Sequence, residues 1–170
     1  MSMILEYASA TPLRGPIFLE KDSETDNKEF TMTLSNNAIS TSMMMTYIDK
    51  MWHQEREQYA QLFSKNVKYT HMRWGVVDEE VSGIDKVMEI WDKKYAERVR
   101  FTDLKDGVRI KPDGLSCTLK MTTLQDMANK DGSIEKIELH IKTTNRLAKE
   151  EDGVYRIVET IMDVSVKILS

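Results

Sequence analysis

Tyr47 and His71 are the two side chains best placed by type and spacing to do chemistry. An imidazole titrates close to neutral pH and serves readily as a general acid or base. A tyrosine hydroxyl can donate to a ligand oxygen. The segment joining them, YIDKMWHQEREQYAQLFSKNVKYTH, reads as a helix end, a bend, a short helix and a strand. That puts Tyr47 and His71 at opposite ends of one helix–strand unit, both expected to face the space between helices and sheet. Each also has a plainer reading. His71 is then a core histidine bonded to a neighbour such as Tyr69 or Asp49, and Tyr47 an aromatic in a helix stripe with its hydroxyl satisfied. Asp163, on the last expected strand between Ile161 and Ser165, is a third acid–base candidate. Glu159 on the same face favours a solvated or dimer-facing side for it.

The elements that must position these groups come in a telling order, helices first and then strands. Apolar residues recur every four positions at Ile39, Met43, Tyr47 and Met51, with Met44, Ile48 and Trp52 beside them. This predicts an amphipathic helix starting near Ser35–Asn37. The polar run from His53 to Gln58 predicts a bend. Tyr59, Leu62 and Phe63 then form one side of a short second helix. Val67–Trp74 alternates as a strand does, with Val67, Tyr69 and His71 on one face. Asp78–Glu80 reads as a short acidic loop, a solvated turn first and the guard of a cavity entrance second. Ser82 is an expected N-cap, with Asp85 completing an approximate capping box, for a third helix that turns Ile84, Val87, Met88, Trp91 and Tyr95 inward. Four long strands follow, over Val99–Ile110, Leu115–Met127, Ile134–Ala148 and Val154–Ile168, each long enough to carry a bulge. In the third of these, Ile137, Leu139, Ile141, Thr143 and Leu147 should meet the helices. Glu138, His140, Lys142, Thr144 and Arg146 face water or a partner. The expected architecture is α+β, three N-terminal helices against a curved, mostly antiparallel sheet.

Residues 1–36 read as an N-terminal extension, partly disordered, and 37–170 as one domain. Pro12 and Pro16 break any helix there, Ser23–Glu29 has linker character, and IFLE and FTMTL are short strand candidates. At 170 residues one domain with a real core is expected. The net charge of −4 argues against nucleic acid or an anionic membrane as partner. No apolar run reaches the roughly 18 residues a membrane span needs, and the first residues make a poor signal peptide. The single cysteine, Cys117, forbids an internal disulfide and fits a cytoplasmic location. His53, His71 and His140 show no ligand spacing, so no metal site is expected, and no nucleotide or nucleophile-elbow motif occurs. Twelve methionines, three of them consecutive at Met43–Met45, suit either an adaptable core or the wall of a cavity for an apolar ligand.

The long helix ending near Trp52, then QYAQLFSKNVKYTH, then VSGIDKVMEIW, resembles the NTF2-like superfamily over about residues 38–168. This is the cone-shaped α+β family that includes SnoaL-like cyclases, ketosteroid isomerase, scytalone dehydratase and nuclear transport factor 2. The resemblance implies a small-molecule-binding cone and, for an enzyme, cofactor-independent proton transfer as an isomerase, cyclase or dehydratase. An ungapped overlay on ketosteroid isomerase puts Tyr47 at the oxyanion-donating tyrosine and His71 at the proton-shuttling aspartate. Thr143 falls where that enzyme has a protonated aspartate, so the carboxylic acid is missing. Late-strand acids in SnoaL-like cyclases implicate Asp163. Met44, Met51, Trp52, Tyr69, Met88, Trp91 and Thr143 are the expected ligand-binding set, and an apolar or aromatic small molecule the expected partner. No cofactor is implied. The alternative function is a non-catalytic dimerisation or protein-interaction module, and a homodimer is expected.

Overall fold

The computed structural model of the chain describes residues 2–5, 17–20, 27–96 and 99–169. In chain order these form β1 (Ser2–Leu5), β2 (Ile17–Glu20), α1 (Asn27–Trp52), α2 (Arg56–Ala60), β3 (Phe63–Arg73), β4 (Val76–Ser82) and α3 (Ile84–Ala96). They continue with β5 (Val99–Asp113), β6 (Ser116–Ala128), β7 (Ile134–Lys149) and β8 (Tyr155–Ile168). The eight strands form one sheet in the order β1-β2-β5-β6-β7-β8-β3-β4. Five neighbouring pairs are antiparallel; β2–β5 and β3–β8 are parallel. The class is α+β, as expected. The helices are not all N-terminal to the sheet, however, because two strands precede α1 and the β3–β4 hairpin comes before α3.

The four late strands fall within a few residues of where alternation puts them, and β5 breaks register twice, at Phe101/Asp103 and at Lys105/Val108. On β7 the inward set is buried as expected, joined by Asn145. Two expectations at the N-terminal side change. α1 begins at Asn27 rather than near Ser35, and FTMTL lies inside it. The β-branched threonines of that segment argue weakly for a strand, while Phe30 and Leu34, four residues apart, fit a helix equally well. IFLE does form a strand, β2, beside β5. Pro12, Pro16 and Ser23–Asp26 lie outside the described residues, as does the Tyr95 side chain.

The bend after Trp52 is present, with Gln54 at φ 54°. Asp78–Glu80 is not a loop but part of β4, where Glu79 and Glu80 pair with β3. The hairpin turns on Trp74 and Gly75, both at positive φ (53° and 75°). That two-residue turn matches the twist of the flanking strands. Gly83 rather than Ser82 caps α3, since its carbonyl accepts from Val87 N–H at 3.2 Å. Gly83 stands at φ 95°, a conformation side chains rarely adopt.

The core lies between the inner sheet face and the helices. Met44, Tyr47, Ile48 and Met51 of α1 and Val87, Met88 and Trp91 of α3 supply the helical side. Tyr69, Leu119, Ile141, Leu147, Ile157 and Met162 supply much of the sheet side. Burying side chains of this kind contributes roughly 1.5–3 kcal/mol each before entropy is subtracted.

Candidate functional site

β3 carries Val67, Tyr69 and His71 on its inner face in steps of two. Val67 and Tyr69 are buried, and His71, further along, is half-buried where the face opens. Two residues past the hairpin turn the register slips. His71 pairs with Glu79 and Met72 with Val77, leaving Asp78 as the extra residue of a bulge. A bulge re-aims the side chain it carries. Here Asp78 Oδ2 comes within 3.4 Å of His71 Nδ1 and 3.1 Å of Arg73 Nε.

Burial holds the His71 pKa below its ordinary value; Asp78 opposes this, and the cations Arg73 and Lys94 add to it. Lys94, in the last turn of α3 and only partly exposed, is itself pushed down to about 8 by desolvation. The net effect favours the neutral imidazole. With Nδ1 facing a carboxylate, its proton belongs on Nδ1, an assignment made from geometry, and Nε2 is left as the basic nitrogen. A neutral imidazole oriented by a carboxylate, with two cations in its field, can remove a proton and have the resulting negative charge stabilised nearby.

Tyr47 sits elsewhere. It is 0% exposed, its hydroxyl accepts from Tyr59 Oη at 3.2 Å, and its ring packs 5.2 Å from Tyr59 and 6.2 Å from Phe63. Tyr59 in turn lies 4.2 Å from Trp91. Burial pushes the Tyr47 pKa up to about 12, offset in part by Tyr59 and Thr143. The buried Thr143 hydroxyl lies close to Tyr47 but makes no hydrogen bond of good geometry, so its influence is the weaker of the two.

The expected ligand-binding residues Met44, Met51, Tyr69, Met88, Trp91 and Thr143 are buried in the same packing, and Trp52 is half-buried against it. Tyr69 donates to Met162 Sδ at 3.6 Å, and Met44 Sδ accepts from Asn145 Nδ2 at 3.7 Å. Asp163 faces the other way. It lines a cavity of about 580 Å³ on the outer face of the sheet and accepts from Gly75 N–H at 3.1 Å. A second cavity of about 520 Å³ runs along α1 beside Ile39, Met43 and Leu62. Neither includes Tyr47 or His71. The three catalytic candidates thus occupy core, inner-face opening and outer face.

Asp78, Arg73 and Lys94 are the site residues that sequence reasoning missed. The VVDEEV pattern after Trp74-Gly75 signals a hairpin, but nothing local to it fixes the bulge. Among the described residues no cluster of His, Cys, Asp and Glu could hold a metal ion, and no helix is long and apolar enough to cross a membrane.

No protein-family model matches the chain, and no curated protein matches it in sequence. Solved structures do match in shape. A candidate polyketide cyclase from Xanthomonas campestris pv. campestris superposes with a TM-score of 0.59 at 10% identity, over 75% of this chain and 91% of that one. A ketosteroid isomerase-like protein from Erwinia carotovora atroseptica gives 0.55 at 14% identity, over 76% and 95%. A candidate dehydratase of the NTF2-like family from Streptomyces avermitilis gives 0.52 at 13% identity, over 77% and 97%. At such identities the likeness is one of fold alone: this chain shares the α+β fold of these three structures.

Proposed function

We propose that the chain binds a small apolar or aromatic carbonyl compound where the inner face opens, and that His71 removes a proton from the carbon beside the carbonyl. The observation that carries this is the His71–Asp78 pair built by the β4 bulge. The surroundings support it. Arg73 pairs across the sheet with Val164, and beyond it the inner-face residues of β8 become exposed, Val166 at 41% and Ile168 at 61%. These form an apolar ledge next to the base. Arg73 and Lys94 supply positive charge for the developing enolate. The fold neighbours described as cyclase, isomerase-like protein and dehydratase agree with this class of reaction. Tyr47, fully packed, supports the core behind the site rather than holding the oxyanion, and Asp163 has no part in this step.

The alternative, a non-catalytic interaction module, calls for an apolar outer face. Thr122, His140, Lys142, Asp163 and Ser165 make that face polar, which favours the first reading. A homodimer is supported by the resemblance alone.

Exchange of ketone α-protons for deuterium, followed by NMR with 2-tetralone in D2O, tests the proposal without knowledge of the natural product. The native protein should speed exchange and His71→Ala should not, while remaining folded. Equal rates for the two proteins would rule His71 out as the base.

A further inference from the structure

We infer that the outer face of the sheet holds a second ligand site, for a small aromatic anion bearing a carboxylate or phosphate group, independent of the His71 site. Its floor is three strands wide. Register places Lys120 directly opposite Lys142, and Lys142 opposite Asp163; one step along, Thr122 stands opposite His140, and His140 opposite Ser165. The walls are two segments with backbone at positive φ. One is the hairpin turn at Trp74 and Gly75; the other is the β5 bulge, with Asp106 at φ 65° and Gly107 at φ 76°. Together they flank an open cleft of about 580 Å³, large enough for a small organic ligand.

The charges in this cavity are arranged for something that is not part of the chain. Four cationic side chains line it against two carboxylates, on a protein whose net charge is −4. Two of the four have partners. Lys105 Nζ lies 3.4 Å from Glu138 Oε1, and Arg109 lies 4.0 Å from Glu20 and over the Phe18 ring. Glu138, only 5% exposed, also faces His140 Nε2 at 3.4 Å, while His140 Nδ1 meets Thr122 Oγ1 at 3.1 Å. This fixes the imidazole at the cavity floor. Asp163 Oδ1 accepts from Gly75 N–H, and its carboxylate, on β8 opposite Lys142, makes no ion pair with that lysine among the described residues.

Lys120 and Lys142 remain, directly opposite each other and with no ion pair or hydrogen bond among the described residues. Like charges opposite one another across two strands are destabilising. An anion between them turns that repulsion into two charge-assisted contacts. Trp74, 71% exposed at the rim, offers a flat face on which an aromatic ring can stack. Asp106, on the opposite wall, disfavours ligands with a second negative charge at that end.

Phenyl phosphate, benzoate, inorganic phosphate and uncharged benzyl alcohol are titrated into the full chain, read by Trp74 fluorescence and by NMR shifts of His140 and the lysine Nζ groups. Saturable binding of phenyl phosphate or benzoate in the millimolar range or below is expected, with the tighter of the two identifying the head group. Binding should weaken with salt. Benzyl alcohol should not bind, and inorganic phosphate should bind more weakly than phenyl phosphate. Lys120→Ala/Lys142→Ala should lose about tenfold or more in affinity, with an unchanged or raised Tm, because the two like charges are gone. Should the double variant fold poorly, Lys142→Ala alone and the salt dependence of the native protein carry the same test. The proposal is overturned by no saturable change with either aromatic anion, by affinity indifferent to salt and to the lysines, or by a stable homodimer that shields Trp74 and excludes both probes.

Discussion

Replacing Tyr47 by Phe should cost about 1 kcal/mol of stability and leave proton transfer intact. The ring keeps its packing, 5.2 Å from Tyr59 and 6.2 Å from Phe63, since only the oxygen is removed. What is lost is the hydrogen bond from Tyr59 Oη at 3.2 Å. A neutral bond of this kind contributes a net of about 0.5–1.5 kcal/mol, because the unfolded chain bonds to water instead. For a domain of this size each kcal/mol lowers Tm by roughly 2–4 °C. Tyr47→Ala removes the aromatic body as well and should cost about 3–5 kcal/mol, as large-to-small changes in packed cores do. Urea and thermal unfolding of the two variants, beside the deuterium-exchange assay, measure both quantities. A Phe variant with native stability and no exchange activity would refute the reasoning, because it would place the hydroxyl against the ligand rather than in the core.

Thr160→Val should destabilise by about 1–3 kcal/mol. The Thr160 hydroxyl donates to Asn145 Oδ1 at 2.8 Å with both residues buried, so the change strands an acceptor; equilibrium unfolding measures it. Cys117, 1% exposed and with its thiol pushed up to about 12 by burial, should resist a thiol-reactive chromophore until the protein unfolds, so the labelling rate should follow denaturant concentration. Stability should also depend on His71. Its folded-state pKa lies below the free value of 6.5. As pH falls through about 6.5 the unfolded chain takes up a proton that the native state resists, so this contribution to stability is present above that pH and lost below it. In His71→Asn the fall in urea-unfolding stability over that window should be shallower than in the native protein.

The helix stripe of α1 and the alternation of β6 to β8 were legible because each depends on local spacing; the start of α3 was legible to within a residue, but its cap is Gly83 and not the expected Ser82. The rotation of α1 was nearly so: Tyr47 and Met51 are buried as the stripe predicts, while Ile39 and Met43 lie at its edge along the second cavity. His71 was legible as an inner-face residue from steps of two along β3. Its partner was not, because Asp78 reaches it only through a one-residue register slip between two strands, which acidic composition disguised as a loop. Lys94 was hidden for a different reason. Its neighbourhood to His71 depends on how α3 lies across β3, a tertiary relation that helix periodicity does not encode. The filling of the space around Tyr47 by Tyr59, Phe63 and Trp91 likewise depends on three elements meeting. The same aromatics read from sequence suit a cavity wall and a plug equally well.

The most direct test of the central claim is an NMR titration of the three histidines, assigned by substitution, in the native protein and in Asp78→Asn and Arg73→Ala. His71 should titrate below 6.5, lower still in Asp78→Asn, where the carboxylate that favours its charged form is gone, and higher in Arg73→Ala, where a repelling cation is removed. A His71 that titrates at or above 6.5 and ignores both substitutions would contradict the account, since it would be neither desolvated nor coupled to the groups that define the site.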